Sequence, residues 1–342
     1  MSLRLSVLDQ SPVPAGSTPS DALQNSIALA RHVDALGYTR FWMSEHHAMD
    51  TLACTAPEIM LARIGAETQR IRIGSGGIML PHYTSLKVAE TFRTLHALYP
   101  NRIDLGIGRA PGGGPVESAA LRRNRNIQPV DDFPDQVTEL LHFLHKDFAS
   151  QHPFARIKVA PDAPGSPDVW MLGSSAWSSS AAVEFGLPYA FAHFFSAQGT
   201  REAISRYQSA FRASPYREKP EATAAVGVIC AETQDEAEYL AASVRLLQVR
   251  IRQGDRSPVA SPEDALRELK AWGGPTPDEG EWPRYFIGTP ERVREGLEGM
   301  ARDLEIGELV VNTIVWDHAK RLRSYELLGR EFGLVPPPPV LG

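Results

Sequence analysis

Short apolar runs alternate with helical segments along the 342-residue chain, and this alternation constrains the fold more than any other feature. The first four runs begin 31 to 37 residues apart, which is the length that a strand, a crossover helix and two loops need. The pattern predicts an α/β protein with a (β/α)8 TIM barrel and loop insertions. The eight predicted strands are 3–8, 40–43, 71–74, 103–107, 169–172, 189–192, 224–230 and 309–315.

Helix boundary signals support the predicted crossovers. Between the first two runs, Thr18 and Asp21 form a capping-box pattern and Gly37 marks the end of the helix. Similar signals predict helices that begin near Ser85 and Thr289. No GxGxxG turn follows the first run, so a barrel is favoured over an open dinucleotide-binding sheet.

No linker-like stretch divides the chain, and residues 1–342 are expected to form a single domain. Two segments rich in Gly or Pro, 111–115 and 253–288, fall where barrel loops should be. The second contains a helical pattern at 262–272. We expect region 253–288 to be an insertion that serves as a lid.

Composition and charge exclude several classes of protein. The chain has 35 Lys and Arg against 41 Asp and Glu, which gives a net charge of −6 and no basic footprint for nucleic acid or an anionic membrane. Cys54 and Cys230 are too few for a disulfide framework. No run of 18 apolar residues is present. The expectation is a cytoplasmic protein without a nucleic-acid or membrane partner.

The segment Ser44-Glu45-His46-His47 follows the second predicted strand, at the end where barrels place their active sites. In extended backbone Glu45 and His47 share one side and His46 faces the other. Adjacent histidines are therefore poor partners for one metal ion, although a metal-dependent hydrolase that uses Glu45, His46 and His47 is an alternative. A His aimed into the barrel mouth is a candidate proton donor or acceptor.

Two glycines, Gly76 and Gly77, interrupt the third predicted strand near its end. Glycine permits a bulge or unusual torsions there and lets a flat ligand lie against bare backbone. A tight barrel corner without a ligand is the alternative.

Two further clusters predict a phosphate site. Arg109 lies in a glycine-rich turn after the fourth strand, and a guanidinium can clamp a phosphate with parallel hydrogen bonds. Ser174, Ser175 and Ser178 lie where the fifth strand leads into a helix, whose N-terminus favours an anion. Because the two strands are consecutive, the clusters indicate one phosphorylated ligand.

Several motifs together resemble the bacterial-luciferase-like, flavin-dependent monooxygenase family. They are SEHH, GSGGIMLPHYTSLKVAE, NRIDLGIGRAPG, LGSSAWSSSAAVEFGLPYAFA, IGTPERV and LVVNTIVWDHAKRLRSYELL, in that order. The resemblance spans nearly the whole chain, and it implies a (β/α)8 barrel that commonly forms a homodimer. It also implies reduced FMN, supplied by a separate flavin reductase, and O2 as co-substrate. One oxygen atom would then enter a small, apolar organic substrate through a flavin C4a-(hydro)peroxide.

The resemblance also assigns roles near the flavin ring. His46 would be the general acid/base beside the flavin C4a position, and Glu45 and His47 would shape the pocket. Gly76-Gly77 falls where relatives often carry a non-prolyl cis peptide under the isoalloxazine ring.

For the phosphate end, the resemblance implies that Arg109, Ser175 and Ser178 hold the FMN phosphate and that Ser174 assists. Two positions depart from true luciferase catalytic subunits. Gly108 stands where they carry a reactive cysteine, and Ser174 stands where they carry a glutamate. Light emission is therefore not expected.

Other functions stay open at this point. A deazaflavin (F420) oxidoreductase could use the same barrel for hydride transfer without O2, and a non-catalytic flavin-binding barrel is a further class. Aromatic residues near the predicted strand ends suggest an apolar substrate pocket, and packing in the core is the alternative. They are Phe41, Trp42, Trp177, Phe194, Phe195 and Trp316.

Overall fold

The computed structural model of the chain describes residues 3–121, 131–274 and 280–339. Within these ranges the nine strands are β1 Arg4–Asp9, β2 Arg40–Met43, β3 Arg72–Met79, β4 Ile103–Gly108, β5 Asp168–Gly173, β6 Tyr189–Phe191, β7 Ala222–Cys230, β8 Tyr285–Gly288 and β9 Glu308–Asn312. The helices are α1 Pro19–Leu36, α2 Pro57–Glu67, α3 Ser85–Leu98, α4 Pro115–Leu121, α5 Phe133–His145, α6 Ala176–Phe185, α7 Thr200–Ala210, α8 Gln234–Arg252, α9 Pro262–Ala271, α10 Pro290–Asp303 and α11 His318–Glu331.

Eight of the strands close into a parallel barrel. β1 to β7 follow one another in chain order, β9 pairs with both β7 and β1, and β6 pairs with β7 to complete the ring. All eight coincide with the predicted apolar runs. The predicted (β/α)8 TIM barrel is confirmed, and the carboxyl ends of its strands share one rim.

The strand β8 was not predicted, because its four residues lie inside the segment 253–288 that was expected to be an insertion. It pairs with the C-terminal half of β7. The carbonyl of Ala225 accepts from the N–H of Phe194, and the N–H of Gly227 donates to the carbonyl of Arg284. Adjacent residues of a strand bond to opposite sides, so Ala225 and Gly227, two positions apart, bond to the same side. The strand β8 therefore lies on the β6 side of β7.

The helical pattern predicted at 262–272 is confirmed as α9. It packs against α8, so the predicted insertion contains a helix as well as the strand β8. Residues 275–279 of that region lie outside the described ranges. The lid role of 253–288 and the single-domain division stay predictions.

The first helix shows why these segments fold locally as predicted. Thr18 and Asp21 form the expected capping box, in which each side chain accepts from the other residue's backbone N–H. Ile27, Ala30 and Val33, spaced three residues apart along α1, are buried against the outer face of the barrel. The local signals and the tertiary packing therefore agree in α1.

The barrel interior has an apolar layer in the middle and a layer of charged side chains at one end. Its middle layer is an apolar cluster of Leu8, Trp42, Trp170, Ala190, Ala225 and Val310. Below it, at the N-terminal end, the Arg40 guanidinium bridges Glu308 at 2.9 Å, Asp104 at 3.0 Å and Glu221 at 3.3 Å. Burial alone would raise the pKa of Asp104, but Arg40 and Arg72 hold it below its ordinary value. This ionic layer closes the end opposite the predicted site.

Two further observations bear on the class of protein. Cys54 and Cys230 are both free and buried. Among the described residues, no helix has the length and apolar character that crossing a bilayer requires. The two free thiols agree with the expectation that the cysteines do not form a disulfide framework.

The buried ion network gives a stability prediction. Arg40→Ala should lower the free energy of unfolding by about 3–5 kcal/mol, because it removes the buried cation that Asp104 and Glu308 share and leaves them with more exposed partners, Arg72 and Arg4. Arg4→Ala is the matched control, since Arg4 contacts the same Glu308 from a side chain that is 54% exposed. Its expected cost is about 1 kcal/mol or less. Urea unfolding of both variants checks this, and equal losses would contradict the assigned role of Arg40.

Candidate active site

The end of β2 places two pairs of side chains on opposite sides of the backbone. On one side, His47 Nε2–H donates to Glu45 Oε1 at 2.8 Å. On the other, His46 Nδ1 lies 3.1 Å from Ser44 Oγ. This is the alternation expected from extended backbone, and it places His46 on the side opposite Glu45 and His47.

Glu45 is a fully buried carboxylate that joins two loops of the rim. Besides His47, it accepts from the Tyr83 hydroxyl at 2.7 Å and from the Met79 N–H at 2.8 Å. Burial and the nearby Glu45 charge raise the pKa of Tyr83 well above its ordinary value. Glu45 therefore ties the loop after β2 to the end of β3, and its oxygens are already occupied.

The geometry does not favour the metal-site alternative. Glu45 and His47 bond to each other, while His46 lies on the opposite side. In the described ranges, no three His, Cys, Asp or Glu side chains come together as metal ligands. These residues form a polar network instead of a shared coordination sphere.

His46 is partly buried and uncharged at neutral pH. Burial, with a smaller contribution from His47, lowers its pKa to about 4. A neutral imidazole has one N–H donor and one nitrogen acceptor. His46 can therefore hold or accept a proton at the rim without bringing a charge into the site.

Gly76 and Gly77 are joined by a cis peptide bond, and the β3–β4 register shifts between Gly76 and Ile78. A Cβ on Gly77 would lie 2.7 Å from the carbonyl oxygen of Gly106. A Cβ on Gly76 would lie 2.6 Å from Leu8. Both positions therefore need glycine, and the predicted bulge with unusual torsions is confirmed.

Gly108, the last residue of β4, leaves open space. A Cβ there would meet nothing closer than Met79 Sδ at 3.9 Å. The loop that follows reaches the end of β2, because the Gly112 carbonyl accepts from the His47 N–H at 2.9 Å. Bare backbone at Gly108 thus borders the same rim as the histidines.

The Arg109 side chain contacts the first turn of α6 through Trp177. The Arg109 guanidinium lies over the Trp177 ring, 4.3 Å from its centroid. It also pairs with Asp131 at 3.3 Å, where both side chains are about half exposed. A solvent-accessible cation therefore stands at the N-terminus of a helix.

The three serines at the start of α6 differ in their exposure and in their hydrogen-bond partners. Ser175 is the exposed N-cap of α6 and Ser174 is half-buried just before it. Ser178 is buried, and its hydroxyl bonds to the Ser175 carbonyl at 2.8 Å and to the Tyr189 hydroxyl at 3.0 Å. Ser178 therefore stabilises the turn, and the phosphate role of all three serines stays a prediction.

Part of the predicted insertion crosses the loops at the barrel mouth. The Val259 N–H donates to the Val13 carbonyl at 2.8 Å, in the loop after β1. The Thr51 hydroxyl donates to the Ser257 carbonyl at 2.9 Å, in the loop after β2. Residues 255–260 therefore border the predicted site.

Sequence analysis missed Tyr83 and the partnership of Ser44 with His46. Tyr83 follows β3 just as SEHH follows β2, so polar residues after that strand were an available signal. For Phe41 the core-packing alternative holds, because its side chain is fully buried between the barrel and the helices. Its neighbour Trp42 points into the barrel, since adjacent strand residues face opposite sides.

Comparison with known proteins places this architecture in a family. The model of the luciferase-like monooxygenase family matches residues 3–305. The chain belongs to the luciferase-like monooxygenase family. Two relatives from Bacillus subtilis (strain 168) are similar over nearly their full lengths. The uncharacterized protein YwcH is 42% identical, and the match covers 96% of this chain and 98% of YwcH. An N-acetyl-S-alkylcysteine monooxygenase is 36% identical, and the match covers 95% of this chain and 97% of that protein.

Solved structures extend the comparison for this luciferase-like chain. Apo-MsnO8 is 46% identical, with a TM-score of 0.90 over 98% of this chain and 99% of its own. The oxygenating constituent of 3,6-diketocamphane monooxygenase from Pseudomonas putida, in complex with FMN, has a TM-score of 0.71 at 18% identity. The match covers 97% of this chain and 98% of that chain. An F420-dependent secondary alcohol dehydrogenase has a TM-score of 0.65 at 14% identity, and the match covers 98% of this chain and 99% of that chain. The last two share the fold alone.

The His46 environment gives a pH prediction. Its imidazole should titrate near pH 4 instead of at its ordinary value of about 6.5. Histidine-selective NMR checks this, with His46→Gln identifying the resonance. The unfolded chain takes up the proton first, so this site should reduce stability as pH falls from about 6.5 to 4. His46→Gln should remove that part of the acid sensitivity, and a titration midpoint above 6 would contradict the assigned environment.

Proposed function

We propose that this luciferase-like protein is an FMN-dependent monooxygenase. It would bind reduced FMN and use O2 to insert one oxygen atom into a small, apolar organic substrate. The observation that carries the proposal is the position of Arg109, stacked on Trp177 at the N-terminus of α6.

The phosphate end of FMN fits the donors at that position. A phosphate monoester carries two negative charges, and both a guanidinium and a helix N-terminus favour an anion. The first-turn N–H groups of a helix have no carbonyl partner within the helix. FMN phosphate would replace the exposed Asp131 as the partner of Arg109 and bond to Ser174 and Ser175.

The ring end fits the bare backbone of β3 and β4. The adjacent glycines Gly76 and Gly77 and the open space at Gly108 would offer bare backbone to a flat ring system. Reduced flavin supplies the reaction with O2. Neutral His46 would hold or accept a proton at Nε2, facing the substrate.

Other residues would support the site without touching reacting atoms. Glu45 fixes His47, Tyr83 and the Met79 backbone, and so keeps the rim in one arrangement. The segment 253–288 would act as a lid that excludes water, and residues 255–260 already bridge two rim loops.

The family context supports several partners and a location. A separate flavin reductase would supply reduced FMN in a two-component system, within the cytoplasm. We also propose a homodimer. Ile59 on α2 is 68% exposed and Leu98 on α3 is 59% exposed, so two neighbouring helices present apolar side chains to solvent.

F420-dependent hydride transfer is the second candidate, because one fold relative is an F420-dependent dehydrogenase. F420 carries a phosphodiester with one negative charge. FMN carries a monoester with two, so the Arg109 site at a helix N-terminus favours FMN on charge.

Reduced FMN together with isotopically labelled O2 tests the function. The substrate panel should hold N-acetyl-S-alkylcysteines, following the name of one relative, together with aldehydes and ketones. The expected product contains one labelled oxygen atom, measured by mass spectrometry. A parallel reaction uses reduced F420 under nitrogen. Tighter binding of reduced F420 than of reduced FMN, with ketone reduction in the absence of O2, would contradict the proposal.

Arg109→Ala tests the placement of the phosphate. Loss of charge-assisted hydrogen bonds worth about 1.5–3 kcal/mol should raise the Kd of FMN roughly 10- to 100-fold. Riboflavin lacks the phosphate, so its Kd should change little. Arg302→Ala, at a side chain 77% exposed on α10, is the control. Fluorescence titration measures both ligands, and equal weakening of FMN and riboflavin argues against the placement.

A further inference from the structure

We propose that Ser44 is a positioning residue that orients the His46 ring and leaves its tautomer open, so that the group facing Nε2 decides whether this nitrogen donates or accepts. The catalytic consequence depends on the function proposed above. The tautomer itself is a property of the protein alone and can be measured without flavin.

Backbone contacts fix the two residues before any ligand arrives. The Ser44 N–H donates to the Asp9 carbonyl at 3.0 Å, which continues the β1–β2 pairing. The His46 N–H donates to the Cys54 carbonyl at 3.0 Å. With both backbones held, the imidazole ring is the part that can still rotate.

One hydrogen bond restrains that ring. Ser44 Oγ lies 3.1 Å from His46 Nδ1, and Ser44 is 3% exposed. Within the described ranges, neither side chain makes another hydrogen bond to protein. Since Nδ1 is directed at Ser44, Nε2 is the nitrogen presented to a ligand.

The chemistry of the partner decides which tautomers are possible. A carboxylate only accepts, so Glu45 requires a proton on Nε2 of His47. A hydroxyl both donates and accepts. When Ser44 donates to Nδ1, Nε2 carries the proton. When Nδ1–H donates to Ser44 Oγ, Nε2 is an acceptor.

The change between the two forms conserves charge and protons. One nitrogen gains a proton from water and the other releases one to water, so the imidazole carries a single proton before and after. His46 is uncharged in both forms, which suits its surroundings of low polarity. A neutral group that can serve as donor or acceptor matches the two roles of a general acid/base.

Nitrogen NMR with ¹⁵N-labelled histidine tests the tautomer, with His46→Gln used for assignment. In the unsubstituted protein at neutral pH, both ring nitrogens of His46 should resonate between the values of a protonated and an unprotonated nitrogen. Ser44→Thr keeps the hydroxyl and should preserve this averaging. In Ser44→Asp the new carboxylate can only accept a hydrogen bond, so it should place the proton on Nδ1 of His46. A single tautomer of His46 in the unsubstituted protein would overturn the proposal, and so would averaged signals that are the same in Ser44→Asp.

Turnover separates this inference from the proposed function. With reduced FMN and O2, Ser44→Asp should lower kcat about tenfold or more with little change in the KM for FMN, whereas Ser44→Thr should stay close to the unsubstituted rate. If Ser44→Asp does not fold, the Ser44→Thr and Ser44→Ala pair carries both measurements. Averaged nitrogen signals without any oxygenation would refute the function and leave the Ser44 assignment standing. Equal kcat in Ser44→Asp and Ser44→Thr would overturn the catalytic role of Ser44.

Discussion

Closure of eight parallel strands sets the position of every functional group in this protein. A closed parallel barrel brings all carboxyl ends to one rim, so residues far apart in sequence become neighbours. Arg109 follows β4, Trp177 follows β5, and the two stack because β4 and β5 are paired. The opposite end is sealed by the Arg40 ion network, which leaves the rim as the end available for chemistry.

The rim divides its polar groups by role. Glu45 is buried and accepts hydrogen bonds from His47, Tyr83 and the Met79 backbone. Its carboxylate therefore holds the loops of the rim together. His46 lies on the opposite side of the strand and is uncharged at neutral pH, as the proposed proton-transfer role requires. Arg109 is the exposed charge that can exchange partners. The division follows from the two faces of one extended segment and from the adjacent strand ends.

Local patterns in the sequence predicted most of this arrangement, because they act over a few residues. The eight apolar runs, the Thr18 cap, the opposite faces of Glu45 and His46, and the glycine pair all depend on short-range geometry. The misses depend on tertiary context. The strand β8 has four residues and forms only by adding to β7. The sequence also left open whether Phe41 lines a pocket or the core, and it packs in the core because the barrel sets which strand face meets the helices.

The central claim is that Arg109 and the N-terminus of α6 bind the phosphate of a flavin whose ring lies beside His46. A crystal structure of the protein with FMN measures this most directly. We expect the phosphorus atom between the Arg109 guanidinium and the first turn of α6, with the ring against Gly76-Gly77 and Gly108. A flavin bound with its phosphate elsewhere, or with its ring away from His46, would contradict it.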